Sequence, residues 1–428
     1  MIFRTPICSP AVRLLACLLI FIMPAFLPRA WADPMDRQFK VIEQRMTNRN
    51  EVDATAEAFK RQEKDIERQY ATEKAAIEQS YKTYQRIIEE AYRAYEKEIL
   101  KTWVKAEIST AKRWVEYAPD YQSRHIVDFD QQYLQIDINV TKDMDALVDL
   151  LVERKLREMM TEDQKTAFER DMLAQNVEKR ITQESPFAQT GNMGDNPVLL
   201  RMITGKDRPS DREIDAAIAD LRRNATLSRA PSKMPDTDVV TLRVALPAGS
   251  MHRKAMEYRP MVQSYAAERG LNEALVFAVI HTESAFNPMA CSHVPAYGLM
   301  QIVPQSAGRD ASEFIFGQEM LLSPSYLYQE ANNINMGTAY LYLLYNRYLT
   351  AIKDPLSRMY CAIAAYNTGP GNVARAFAGT TNVDNAAGII NRMTPDQVYT
   401  HLINRLPYQE TRDYLQKVTS RMALYQSM

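Results

Sequence analysis

ALVFAVIHTESAFNP, Ala274 to Pro288, is the stretch on which the reading of this chain turns. It predicts a helix over Leu271 to Ser284 that is almost wholly apolar, is stopped by Asn287-Pro288, and ends on a carboxylate, Glu283. Burying an ionised carboxylate is costly unless it is paired, so Glu283 is either corrected locally or kept for chemistry. The negative end of the helix macrodipole and the apolar neighbours both favour the protonated form. That is the state a general acid needs to donate a proton at neutral pH.

Three further segments of the same region carry polar groups suited to binding. YGLMQIVP, Tyr297 to Pro304, offers the thioether of Met300 and the amide of Gln301 just after a loop glycine. AAYNTGPGNV, Ala364 to Val373, places a phenol beside an amide at Tyr366 and Asn367. In ETRDYLQKV, Glu410 and Tyr414 stand four apart and share one helical face. Taken singly, each has a structural reading as a cap or a packing residue. Amides, phenols and one buried acid together resemble a sugar-binding cleft.

ESAFNP, GLMQ, AYN and ETRDY, in this order and spacing, closely resemble the catalytic domain of the lytic transglycosylases, enzymes that cleave peptidoglycan. DYQSRHIVDFD, NINMGTAYL, DPLSR and INRMTPDQVY extend the likeness to one branch of that family. The resemblance implies a mainly α fold, with a catalytic domain like goose-type lysozyme preceded by a smaller α+β domain. It implies that Glu283 is the single catalytic acid and base. Ser292, Met300, Gln301, Tyr340, Tyr366, Asn367, Glu410 and Tyr414 match positions that contact substrate, with Tyr414 expected close to the catalytic carboxylate. The implied substrate is the peptidoglycan glycan strand, cut at the β-1,4 bond between N-acetylmuramic acid and N-acetylglucosamine to leave 1,6-anhydromuramic ends. Two alternatives stand beside it: a lysozyme-type hydrolase, with Glu410 or an aspartate as second acid, and a peptidoglycan-binding scaffold. No cofactor is implied, and no clustered Cys and His spacing suggests a metal.

Two features depart from that branch. The branch is lipid-anchored, whereas no convincing lipidation site is present here, and Cys17 lies ahead of most of the apolar run. SHVPAY replaces a more polar loop before GLMQ, so Pro295 and Tyr297 are expected to reshape the cleft. His293 reads as an exposed loop residue and His281 as a satisfied helix side chain.

The N-terminus reads as a cleaved signal peptide over residues 1–32, with Arg4 and Arg13 ahead of LLACLLIFIMPAFL and Ala30-Trp31-Ala32 as the cleavage pattern. A periplasmic location follows. Removing it takes away three arginines and no acids, so 52 basic against 53 acidic residues become 49 against 53, a net charge of −4. That argues against nucleic acid as a partner. Cys8 and Cys17 leave with the leader. Cys291 and Cys361 stay, read more simply as two separate buried thiols than as a disulfide.

Between leader and catalytic region lies a repeat: FKRQEKDIERQ, YATEKAAIEQS, YKTYQRIIEEA, YRAYEKEILKT. Phe59, Tyr70, Tyr81 and Tyr92 recur at one position, and Ile66, Ile77, Ile88 and Ile99 at another. Eleven residues in three turns is about 3.67 per turn, which keeps both sets on one stripe. No proline or glycine falls between Met35 and Tyr117, so the reading is one long amphipathic helix across 33–117, with 52–117 as a surface for self-association or a protein partner. HIVDFDQQYLQIDINV then alternates as a hairpin, and VVTLRVALP, Val239 to Pro247, as a further strand. Asp143 to Asn176 reads as helical, with Leu147, Leu150, Leu151 and Leu156 on its apolar side. Residues 184–238 read as a loose excursion holding one helix, Asp211 to Asn224. The expected domains are thus 33–117, an α+β domain at 118–248, and the catalytic domain at 249–428.

Overall fold

The computed structural model describes residues 49–426, so the signal-peptide reading, Cys8 and Cys17 lie outside the described residues. The chain divides into two units. One holds the described residues up to Gln79 together with Ser312–Glu319, and the other holds Ser80–Ala311 and Met320 onward.

Helix α1, Arg49–Thr102, contributes to both units. In the smaller unit its residues from Ala58 to Ala76, those whose side chains are described, are half-buried or exposed, and Ile77 is buried. In the larger unit its stripe is core: Tyr81, Tyr84, Ile87, Ile88 and Ile99 are all buried. The Tyr81 hydroxyl donates to the Met320 carbonyl at 3.1 Å, and the Gln305 amide donates to the Tyr81 carbonyl at 3.2 Å. Residues 80–102 are thus packed within their own unit rather than offered whole to a partner.

The helix stops at Thr102 and does not reach Tyr117; Arg113–Tyr117 is a strand instead, β1. The cause is tertiary rather than a breaker residue. Trp103 is buried in a cluster with Ile99, Val115, Tyr117 and Ile126. Its indole donates to the Tyr121 carbonyl at 2.8 Å, and the Arg124 guanidinium lies 4.2 Å above its ring. Satisfying that indole and filling that pocket outweighs continuing the helix.

Strands β2 (Ser123–Asp128) and β3 (Tyr133–Thr141) form the expected hairpin, with Val127, Leu134, Ile136 and Ile138 buried. The residues read as one helix across Asp143 to Asn176 are broken into three: α2 (Val148–Thr161), α3 (Gln164–Arg170) and α4 (Met172–Glu184). Asp163 and Asp171 cause the breaks, because each carboxylate accepts a backbone N–H of the next helix, from Thr166 at 2.7 Å and Ala174 at 2.9 Å. The buried face of α2 is Val148, Val152, Leu156, Met159 and Met160, while Leu147 and Leu150 are exposed. A tight turn over Lys142–Leu147 rotates the entry by enough to move the expected face.

Residues 184–238 are better packed than the composition suggests. Val198, Leu199, Met202 and Ile203 are buried. Helix α5, Asp211–Asn224, has the bounds expected, and its Ser210 and Glu213 form a reciprocal capping box. Strand β4 (Thr226–Pro231) pairs with β5 (Thr237–Ala245), giving an antiparallel sheet in the order β1-β2-β3-β5-β4. Helices α6 (Ser250–Arg269) and α7 (Glu273–Ser284) open the helical region that follows. It contains α8 (Glu330–Leu343) and α9 (Pro355–Thr368), and ends with α10 (Gln409–Tyr425). Cys291 and Cys361 are both free thiols.

Candidate active site

Helix α7 is buried from Ala274 to Ile280, which is why it tolerates apolar residues on every side. Asn272 caps its start, accepting from Leu275 N–H at 3.2 Å. It ends when Ala285 and Phe286 both adopt positive φ, 50° and 65°, as Gln301 does at 48°. Six non-glycine residues have positive φ among the described residues; Ala285 and Phe286 follow Glu283 within three residues, and Gln301 lies in GLMQ. Such backbone is costly and persists only where its surroundings over-determine it.

Those surroundings can be named. Buried Asn287 accepts from Met289 N–H at 3.0 Å and donates to the Ala111 carbonyl at 3.3 Å, tying the helix end to the segment before β1. The Ser284 hydroxyl donates to the Leu299 carbonyl at 2.8 Å, drawing GLMQ against α7. Asn333 of α8, fully buried, then fixes that loop from the far side. Its carbonyl accepts Met300 N–H, and its amide donates to the Tyr297 and Leu327 carbonyls, all at 2.7 Å. Gly298, at φ 72°, has no room for a side chain, since a Cβ would collide with Asn333 and the Leu327 carbonyl. A Cβ on Gly337 would likewise collide with the Met300 side chain.

Around Glu283 the polar groups come from three helices and one loop. The Tyr366 hydroxyl donates to the Met300 carbonyl at 2.8 Å, and its ring lies 5.5 Å from that of Tyr340. Gln301 donates to the Gly298 carbonyl at 2.9 Å. The side-chain carbonyl of Asn367 accepts from the Thr411 hydroxyl at 2.7 Å, joining α9 to α10. Tyr414 is buried, and its hydroxyl faces the Glu283 carboxyl.

Glu283 is half-buried, and burial pushes its pKa up to about 8. The nearby Tyr414 hydroxyl opposes that rise, the Glu410 carboxylate adds to it, and the Lys112 ammonium opposes it. Burial holds Tyr366 and Tyr414 well above the usual phenol range, so both are neutral donors. His281, two residues before the acid, is held down to about 4 by burial and by Arg421, and its Nδ1 pairs with the Tyr425 hydroxyl at 2.8 Å.

Glu283, Tyr366 and Tyr414 thus come together, with Met300 and Tyr340 behind them, Asn367 on the adjoining helix junction and Glu410 exposed at the start of α10. Ser292 is placed differently. It closes its own loop, donating to the Val294 carbonyl and accepting from Ala296 N–H at 3.2 Å, and it lines a separate pocket with Tyr92 and Tyr297. His293 is exposed, and its ring meets that of Tyr92 edge-on at 4.5 Å. Asn333, Gly337, Ser284, Thr411 and Lys112 were not singled out from the sequence. The glycine within NINMGTAYL, a weak helix former in a helical pattern, is the one local feature that could have pointed to a close approach.

Residues 260–388 match the family model described as the transglycosylase SLT domain. A membrane-bound lytic murein transglycosylase C from Klebsiella pneumoniae subsp. pneumoniae is 44% identical over 187 residues, which are 44% of this chain and 51% of that protein. The chain therefore spans about half the length of that relative. One of the same description from Pectobacterium atrosepticum is 34% identical over 311 residues, 72% of this chain and 81% of that protein. A solved complex of the 70-kDa soluble lytic transglycosylase with bulgecin A aligns over 41% of this chain and 25% of that one, at 30% identity and a TM-score of 0.33. With 34% identity held across 81% of the Pectobacterium protein, this chain belongs to the lytic transglycosylase family, in the branch of the membrane-bound lytic murein transglycosylase C proteins.

Proposed function

We propose that the chain is a peptidoglycan lytic transglycosylase and that Glu283 is its single acid and base. The observation that carries this reading is a half-buried carboxyl whose pKa burial raises to about 8, beside the neutral Tyr414 phenol and followed by strained backbone. Protonated at neutral pH, Glu283 gives its proton to the glycosidic oxygen as the bond from muramyl C1 to that oxygen breaks. The substrate's own acetamido group stabilises the developing oxocarbenium charge. The muramyl 6-hydroxyl then attacks C1 and returns a proton to Glu283, closing the 1,6-anhydro ring. Proton and carboxylate are both restored, and no water is consumed, so no second carboxyl is required to activate one.

Tyr414 serves as a neutral donor beside Glu283, Tyr366 holds the GLMQ loop through the Met300 carbonyl, and Gln301 and Asn367 supply amides for the acetamido groups. Glu410, Met300 and Tyr340 complete the proposed set of substrate-contacting residues; Ser292, which lines a separate pocket, is left out of it.

A periplasmic site of action fits the leader read at residues 1–32 and the envelope location in the names of the relatives. No helix among the described residues is long and apolar enough to cross a membrane. The test is digestion of purified peptidoglycan by the wild-type chain and by Glu283→Gln. Soluble muropeptides from the first and none from a folded second support the assignment; equal release refutes it.

A further inference from the structure

A second cluster of ionisable groups lies in the sheet-and-helix part of the larger unit, outside the residues matched by the family model. Glu116 on β1 and His125 on β2 are directly opposite each other in the antiparallel register. Glu162 follows the end of α2 and reaches the same point. Each of the three offers a ligand atom within 4.8 Å of the other two, and this is the one such group found among the described residues. Glu116 is 4% exposed, His125 0% and Glu162 5%, so water does not reach them freely.

Their polar atoms are poorly served. Both ring nitrogens of His125, both carboxylate oxygens of Glu116 and Oε2 of Glu162 lack a hydrogen-bond partner among the described residues. Arg170 places one guanidinium nitrogen 3.1 Å from Oε1 of Glu162 and 3.5 Å from Oε1 of Glu116. It approaches one oxygen of each carboxylate and leaves the other free. The buried Lys155 ammonium lies 3.7 Å from Glu158, and its charge also acts on Glu116, Glu162 and His125. The His125 ring is held against Trp114, 4.6 Å between centroids and nearly perpendicular. Leaving several lone pairs buried and unmatched is costly, and what would satisfy all three residues at once is a centre that accepts electron pairs.

We propose that Glu116, His125 and Glu162 bind one divalent transition-metal ion that ties the end of α2 to strands β1 and β2. One imidazole and two carboxylates form the mixed nitrogen and oxygen set that suits zinc, and three protein ligands leave room for a fourth. Ligand atoms about 2.1 Å from a tetrahedral zinc stand about 3.4 Å apart, against the 4.8 Å within which the three lie here. Arg170, already on the far oxygen of Glu162, orients that carboxylate toward the ion. Sequence spacing gave no sign of this group, because its members are brought together by strand register and a helix end.

The test uses the full chain, stripped with chelator and titrated with zinc alone, with magnesium alone as the control. The expected result is one zinc per chain retained through gel filtration, a higher melting temperature with zinc, and no response to magnesium, which favours all-oxygen sites. Glu162→Gln and Glu116→Gln, folded by circular dichroism, are expected to lose that zinc. For the case in which neither variant folds, X-ray absorption on the zinc-loaded wild type reads the ligands directly, one imidazole nitrogen with oxygens being expected. The proposal is overturned by no retained zinc, by zinc retained equally in folded variants, or by a zinc shell without imidazole. No uptake together with variants more stable than wild type would identify the carboxyls as a pair sharing a proton instead.

Discussion

Glu283 and Glu116 are two acids of one folded unit whose pKa values burial raises, the first to about 8 and the second further helped upward by the Glu162 carboxylate. Their surroundings differ in what can reach them. Glu283 is half-buried at a helix end, beside the Tyr414 phenol and followed by strained backbone. Glu116 is sealed against a sheet, facing a histidine and a second carboxylate that have few donors to share. A raised pKa therefore does not by itself mark a catalyst. Access for a substrate and neighbours that donate separate a candidate general acid from a candidate ligand.

The sharpest way to break this contrast is substitution of the accessible acid. Glu283→Gln is expected to lower cleavage by about a thousandfold or more, as loss of general acid catalysis requires, while zinc uptake by the full chain stays unchanged. Joint loss of both in a folded variant would mean that the two clusters are not independent.

The pH profile is the next lever. Glu283 must be protonated to act first, so cleavage should hold up to about pH 8 and then fall about tenfold per pH unit. Stability follows the same ionisation. The folded carboxyl titrates near 8 and the unfolded one near 4.5, so the chain loses stability as pH rises between those values. Relative to wild type, Glu283→Gln should therefore gain melting temperature progressively from pH 4.5 to 8 and gain none below; an equal gain at all pH values would deny the buried ionisation.

Smaller effects probe the frame. Gly337→Ala forces a methyl into Met300 and should destabilise the fold by about 1–3 kcal/mol, read as an earlier denaturation midpoint. Tyr414→Phe removes a hydroxyl that holds the Glu283 pKa down, so the alkaline limb should move to higher pH with a modest loss of rate. Glu410→Gln removes a repelling charge and should shift the same limb slightly the other way. Limbs that move together, or not at all, would detach these residues from Glu283.

What could be read in the sequence follows from what is local. The apolar run of α7, its terminal acid, the hairpin from β2 to β3 and α5 with its capping box each follow from neighbours a few residues apart. The end of α1 did not, because Thr102 is followed by no proline or glycine, and burial of Trp103 beneath Arg124 decides it. The face of α2 was misjudged for a related reason, since the turn before it sets its rotation. At the candidate site, Glu283, Met300, Tyr366 and Tyr414 were named and stand together. The clamp that orients them, Asn333 with Gly298 and Gly337, depends on contacts between α8 and a distant loop, which no period or motif encodes.

The most direct test of the account is the mass of what the chain releases from purified peptidoglycan. A single acid and base working through the muramyl 6-hydroxyl predicts muropeptides with 1,6-anhydromuramic ends, one water lighter than reducible ends and inert to borohydride. Products with reducible ends would show that water had attacked C1, contradict the single-carboxyl mechanism, and send the search to Glu410 for a second acid.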